Sequence, residues 1–438
     1  MNILHYLTEG IWRDEAFSYL LAKNSFIDII FLTVKDFNPP LYYFLLHIWM
    51  NLFGTSEIAM RSLSLFFYVI GVFCIYELFK VILNKSHKQA ALLTFLCAIN
   101  PIVLYYAFET RMYSMLFCLA MASTFYYFKK DWRNYSIIAV IGLYTHYFMA
   151  LVLFVQFMHL LIPLLKTKPS IKKIWDEIKQ YIYIGLIFLP WVLFFLFQNE
   201  AAGSQYWIIP LKTFEIFTLP ALTYSGIEKD FAANLAKNTY FQNLLIGFTL
   251  FFVICIAFGL KQIKKKLEFS IFLYSIALTF IPLLIIIAGM SIKPLYVPRY
   301  LIFVSAAISL VIVLAIMKMK KWQAAAAVLI LLFFTIQFNT IEFKMRNRDT
   351  TREVIEKIKP LTDRDDYIYV QTELDYMTAQ YYFSETHVKI YGKTYEEIPS
   401  YVGKVIIPES AVATEFPKFP HKAYLITGKN SYEIHSSF

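Results

Sequence analysis

Long apolar runs alternate with short basic gaps through most of this chain, and that alternation restricts it to a bundle of helices crossing a membrane. A helix that spans lipid needs roughly 17–20 apolar residues, because no water is available to satisfy its backbone. Runs of that kind are Arg61–Phe79, Gln89–Phe108, Met112–Phe128, Tyr181–Phe197, Phe241–Leu260, Phe269–Met290, Leu301–Met317 and Trp322–Phe338. The gaps between them read "KKDWR", "KTKPSIKK", "KQIKKK" and "KMKK". Such clusters mark cytoplasmic loops of a multi-pass protein. Only 16% of the residues are charged, against about a quarter in soluble domains. The net charge of +10 therefore reports membrane orientation and excludes a nucleic-acid partner.

Between Arg133 and Lys166 lies Tyr135–Leu165, an uncharged stretch that as one helix would be about 46 Å long. The basic gaps Lys80–Lys88, Lys129–Arg133, Lys166–Lys179, Lys261–Lys266 and Lys318–Lys321 all belong on the cytoplasmic side. An even number of crossings must then separate Arg133 from Lys166. Tyr135–Leu165 is read as two short helices turning near Thr145–His146, which brings the count to about ten transmembrane helices. Parity places Asp14–Glu15, Glu109–Arg111, His146, the Gln198–Lys237 loop, Lys293–Arg299 and everything after Asn339 on the outer side.

Residues 1–60 form a first outer loop on this count. Leu41–Phe53, after Pro39–Pro40 and before Gly54, is too short to span and reads as a helix lying in the interface. No apolar span precedes this loop, and Met1–Glu15 lacks the apolar core of a signal peptide. Either the short N-terminus is translocated or a first helix lies upstream. Residues 1–338 are thus expected to form the membrane domain, and 339–438 a small extracytoplasmic α/β domain. In that tail "TREVIEKIK" and "LDYMTAQYYF" read as helices, and "DYIYVQ", "HVKIYGK", "KVIIP" and "KAYLITG" as strands. The four cysteines, Cys74, Cys97, Cys118 and Cys255, all fall in apolar runs, which fits small core hydrophobes and neither disulfides nor a zinc site.

Chemistry must come from the outer face. Asp14 and Glu15 suit a helix N-terminus electrostatically, or a general base near the lipid boundary, aided by a divalent cation. Glu109 and Arg111 flank a tight turn after "NPIVLYYAF", as a loop ion pair or as a wall of the same cavity. His146 at the crest of the hairpin is a hydrogen-bonded interface residue or a site residue. Arg299 in "SIKPLYVPRYL" either snorkels to headgroups or binds a phosphate.

The ordered set "WRDEAFS", "NPPLYYFLL", "GTSEIAMRSLS", "YAFETRMYSM", "YTHYF", "LPW", "YWIIP" and "PRYL" resembles the GT-C glycosyltransferases. It is similar in particular to the bacterial branch related to protein O-mannosyltransferases and the lipid A aminoarabinose transferase. The resemblance runs from about residue 11 to 305, and "ETRMYS" is its most specific piece. It implies transfer of a sugar from a polyprenyl-phosphate carrier to a lipid, glycan or protein acceptor at the outer face of the cytoplasmic membrane. It also implies that Asp14 is the catalytic base with Glu15 as its neighbour, that Glu109 is the second acidic motif, and that Arg299 contacts the donor phosphate. Around these, Arg111 and His146 are expected near the acceptor or a metal, and Tyr300, Lys293 and Arg61 near the donor phosphate. A divalent cation, if present, is expected between Asp14 and Glu109. Two rivals share part of the pattern: a polysaccharide polymerase or ligase of another membrane fold, and a transporter with ionisable residues at mid-membrane.

Overall fold

The structure, a computed structural model, describes residues 3–36, 38–166, 170–198, 207–227, 238–345, 350–383, 387–428 and 431–437. The first loop is more helical than the sequence reading allowed. It holds α1 (Ile3–Thr8), α2 (Arg13–Ala22), α3 (Phe26–Lys35) and α4 (Leu41–Phe53). The last has the predicted bounds, stopped by Gly54. Ser25 starts α3 by accepting from the Asp28 N–H.

The membrane part follows as α5 (Glu57–Glu77), α6 (His87–Ala98), α7 (Pro101–Tyr106), α8 (Tyr113–Lys129), α9 (Trp132–Thr145), α10 (Met149–Lys166), α11 (Ile171–Gln198), α12 (Thr213–Phe217), α13 (Leu219–Ser225), α14 (Thr239–Gln262), α15 (Lys266–Gly289), α16 (Ile302–Ile316) and α17 (Lys321–Met345). Among the described residues, 7 helical stretches are long and apolar enough to cross a membrane. The expected hairpin is present as α9 and α10, parted at His146–Phe148. α6–α7, α8 and α9 occupy three further expected spans with helices too short to qualify by length alone.

One expected span is broken. Gln89–Phe108 is not continuous, because Asn100 caps a new helix by accepting from the Val103 N–H and Pro101 occupies its first position. Proline cannot donate to the preceding turn, so the old helix ends there. The Asn100 amide also donates to Ser305 and Ser309, which ties the break to α16. Every residue of α16 is buried; a helix apolar on all sides belongs at the centre of a bundle. Close packing elsewhere uses small residues: a Cβ on Gly71 would lie 2.5 Å from the Phe117 ring.

Three basic gaps meet at one end of the bundle. Glu268 pairs with Lys85 at 2.9 Å and with Lys318 at 2.5 Å. The gaps that parity assigned to a single membrane face are thus held together by one carboxylate.

The tail contains α18 (Thr350–Ile358), β1 (Tyr367–Val370), α19 (Glu373–Tyr382), β2 (Val388–Tyr391), β3 (Val412–Ala413), β4 (Ala423–Gly428) and β5 (Ser431–His435). The sheet order is β3-β2-β1-β4-β5, parallel except for β5. Two readings need correction. "KVIIP" is not a strand but a 3₁₀ turn at Lys404–Ile406, launched from Gly403 in the left-handed region. A short apolar run has no period to distinguish these outcomes. The edge strands β3 and β5 were not anticipated at all.

Candidate active site

The turn after Gly10 leads into α2, which puts Asp14 and Glu15 in its first turn with no side-chain cap from Trp12. Both carboxylates therefore face the positive end of the helix, yet their surroundings differ completely. Glu15 is fully buried and receives Arg61 at both oxygens, Nε to Oε1 at 2.8 Å and Nη2 to Oε2 at 2.6 Å. The Thr110 N–H donates to Oε1 at 2.9 Å. Arg61 spends its remaining N–H groups on the carbonyls of Tyr6, Leu7, Glu9 and Gly10. The geometry thus gives Arg61 an interior role in place of the expected phosphate contact, since no donor is left over for a ligand. A two-pronged pair of this sort holds geometry through the guanidinium fork.

Asp14, one residue away, keeps 18% of its side chain exposed. Its carboxylate faces Arg299 Nη2 at 3.6 Å and Arg13 Nε at 3.5 Å. Its backbone carbonyl accepts from Arg111 Nη1 at 3.3 Å, and the same nitrogen reaches Ser18 Oγ. Arg299 sits at the 3₁₀ turn Pro298–Leu301 that opens α16. Its Nε donates to the Tyr113 hydroxyl at 3.0 Å. Its guanidinium lies over the rings of Trp207, Tyr300 and Tyr113 at 5.6, 5.7 and 5.9 Å. Aromatic faces hold a cation without neutralising it.

The turn at Glu109–Arg111 is buried and braced by Ser64, whose hydroxyl donates to the Glu109 carbonyl. The Glu109 carboxylate is within electrostatic reach of the Tyr42 hydroxyl. Arg111 leaves this turn toward α2, with its guanidinium over Phe17 at 5.7 Å and Tyr113 at 5.8 Å. Burial opposes its charge, but Tyr43, Tyr113 and Asp14 outweigh that and raise its pKa.

His146 is buried beside Tyr300 and Tyr113, with ring centroids 5.3 and 6.0 Å away. Burial, then Arg111 and Arg299, lower its pKa to about 3. The imidazole is neutral at ordinary pH, and Nδ1 accepts from the Phe148 N–H at 3.1 Å. That bond assigns the proton to Nε2. Lys293 stands half-buried in the turn after α15, its backbone N–H on the Gly289 carbonyl at 2.9 Å.

A divalent cation between Asp14 and Glu109 does not fit this donor set. Among the described residues no three His, Cys, Asp or Glu side chains converge, and Asp14 already faces two guanidinium groups. Positive charge is supplied by arginine.

The structure therefore gathers Asp14, Arg111, His146, Arg299 and Tyr300 into one cluster around Tyr113, with Glu15 and Arg61 beside it. Sequence reasoning missed Tyr113, Tyr43 and Trp207. Tyr113 and Trp207 belong to the motifs "ETRMYS" and "YWIIP", but among 32 tyrosines nothing marks the ones that turn inward. The expected outer loop Gln198–Lys237 is seen only at 207–227 besides Gln198; its segments 199–206 and 228–237 lie outside the described residues.

Residues 38–196 match the dolichyl-phosphate-mannose-protein mannosyltransferase family. No curated protein matches the chain by sequence. Solved structures similar in fold include two of ArnT from Cupriavidus metallidurans. The apo structure has a TM-score of 0.64 at 11% identity, covering 97% of this chain and 91% of that one. The structure bound to undecaprenyl phosphate has a TM-score of 0.62 at 10% identity, covering 96% and 90%. At such low identity the likeness is one of fold. Over α4 to α11 the chain matches that mannosyltransferase family, and its helical bundle and small C-terminal sheet share the fold of the two ArnT structures.

Proposed function

We propose that the protein transfers a sugar from a polyprenyl-phosphate donor to a hydroxyl or amine acceptor at the outer face of the cytoplasmic membrane. The observation that carries this reading is the facing of Asp14 and Arg299 at 3.6 Å, with the Arg299 guanidinium lying over the rings of Trp207 and Tyr300. A base and an anion site must adjoin for this reaction, because the acceptor attacks the anomeric carbon as the phosphate departs.

Asp14 takes the acceptor proton. The acceptor oxygen or nitrogen forms its bond to the anomeric carbon, and the bond from that carbon to the phosphate oxygen breaks. Its electron pair leaves on the lipid phosphate, which Arg299 and its neighbour Arg111 stabilise. His146 offers an N–H and no base, because it is already neutral with Nδ1 engaged. Donor phosphate and Asp14 compete for the same guanidinium, so donor binding frees the carboxylate for the acceptor. Support for a polyprenyl phosphate also comes from the similar ArnT structure, which holds undecaprenyl phosphate. Residues 1–338 would form the membrane domain and 339–438 the outer domain.

The ArnT-like fold and the family match over residues 38–196 speak against a polymerase or ligase built on another membrane fold. A transporter is not favoured either: the polar side chains inside the bundle, such as Gln156 and His159, are engaged in hydrogen bonds with Ser123, Tyr127, Tyr135, Tyr274 and Ser270. The test is transfer in vitro from defined polyprenyl-phosphate sugars to a panel of lipid, glycan and peptide acceptors, read by mass spectrometry. Product with wild type and none with Asp14→Asn supports the reading. Absence of product with every donor, from a folded protein, overturns it.

A further inference from the structure

The tail grips the helix that carries Asp14 at both of its ends. Ahead of α2, the Ile11 N–H donates to the Tyr382 hydroxyl at 2.8 Å, and that hydroxyl donates to Glu57 Oε1 at 3.2 Å. Arg352 Nη1 donates to the Thr8 carbonyl at 2.9 Å and lies 3.8 Å from Glu57. Glu57 is one helical turn before Arg61, the partner of Glu15. Further along α2, the Tyr19 and Tyr381 rings meet edge to face at 5.1 Å, and the Tyr381 hydroxyl donates to the Thr55 carbonyl at 2.8 Å.

Between these lies a closer contact. Gly403 has φ +83, and a Cβ there would sit 2.6 Å from Cδ2 and Cε2 of Phe17 and 3.2 Å from Met377. Phe17 is three residues after Asp14, hence on the same face of α2. Its ring in turn lies against Arg111 at 5.7 Å and Tyr43 at 6.3 Å. The backbone of the tail is thus one side chain away from the arginine that holds the Asp14 carbonyl.

We infer that Tyr382 and Gly403 are positioning residues: the tail sets where α2 sits, and through Phe17 and Ile11 it sets Asp14 against Arg299. This rests on the functional reading above. A tail that served only as a separate module would need neither a glycine pressed on Phe17 nor a hydroxyl bonded to the residue before the α2 cap. A displacement of about 1 Å at a reacting group costs on the order of 10²-fold in rate, so small shifts of α2 are measurable.

The experiment compares Tyr382→Phe, Gly403→Ala and Gly392→Ala in the full chain. Gly392 has φ +79 with nothing within 4 Å of a built Cβ, so Gly392→Ala introduces the same backbone strain in the tail without pressing on α2. Single-turnover transfer, donor KM and the acid limb of the rate–pH profile are measured per folded molecule. Tyr382→Phe and Gly403→Ala should each slow transfer about 10-fold or more, leave donor KM within about two-fold, and shift the acid limb. Gly392→Ala should match wild type in all three. Equal rates in Gly403→Ala and Gly392→Ala, whether both fast or both slow, would overturn the inference, as would a Tyr382→Phe protein with an unmoved rate and acid limb. Asp14→Asn is run alongside. If it transfers at the wild-type rate, the functional reading has failed; if it is inactive while the tail variants are normal, only the positioning role has failed.

Discussion

Glu15 and Arg61 form a two-pronged ion pair, at 2.8 and 2.6 Å, in which neither side chain reaches solvent. The pair joins α2 to α5, and its outer bonds fix the chain from Tyr6 to Gly10 and the turn at Thr110. It lies next to Asp14 in the chain and is closed to solvent, whereas Asp14 is not. Two adjacent carboxylates thereby acquire separate jobs, which separate measurements can distinguish.

Asp14→Asn should lower turnover by about 10²–10⁴-fold and leave the melting curve in detergent unchanged. Glu15→Gln should do the reverse in kind, destabilising the protein by about 3–5 kcal/mol because a buried guanidinium loses its charge partner. A Glu15→Gln protein that melts with wild type would show that the pair contributes no net stability.

Donor affinity provides an independent check on Asp14. If its carboxylate competes with the donor phosphate for Arg299, then Asp14→Asn should bind the donor at least as tightly as wild type while failing to turn it over. Arg299→Ala should weaken donor binding, and Arg299→Lys should restore only part, since an ammonium lacks the planar fork and stacks less well on Trp207 and Tyr300. Weaker donor binding by Asp14→Asn would count against the competition.

His146 predicts a pH dependence of stability. Its folded pKa of about 3 lies below the ordinary value of 6.5, so between those limits the unfolded chain binds the extra proton. Stability from this group is fully present above pH 6.5 and falls as the pH drops toward 3, by up to about 1.4 kcal/mol per pH unit. His146→Gln should flatten that part of the profile in a pH series of melting curves. An unchanged slope would mean the imidazole is accessible to protons in the folded state.

Orientation can be read by cysteine labelling in a background lacking the four native cysteines. Ser410→Cys in the tail should react with an impermeant maleimide in intact cells. Lys264→Cys, in the gap near the Lys85–Glu268–Lys318 cluster, should react only after permeabilisation. The opposite pattern would invert the membrane orientation and place Asp14 on the cytoplasmic side.

What the sequence determined was the ladder of apolar runs and basic gaps, and with it the bundle. Runs long enough to span have one stable outcome in lipid, because their backbone can be satisfied only within a helix. The hairpin around His146 followed from parity, since charge is costly to move across a membrane. The parallel strands β1, β2 and β4 and helices α18 and α19 were legible from local composition. Only the tertiary structure decided the rest. "DE" reads as two equivalent acids until Arg61, distant in sequence, claims one of them and Arg299 faces the other. Asn100–Pro101 ends a helix whose apolar composition continues unbroken. "KVIIP" forms a 3₁₀ turn after Gly403, whose left-handed backbone lies against Phe17. The Asn100–Pro101 cap is a local signal, but for the acid pair and Gly403 the deciding partner is far away in the chain, and a contact of that kind leaves no periodicity or local composition behind to be read.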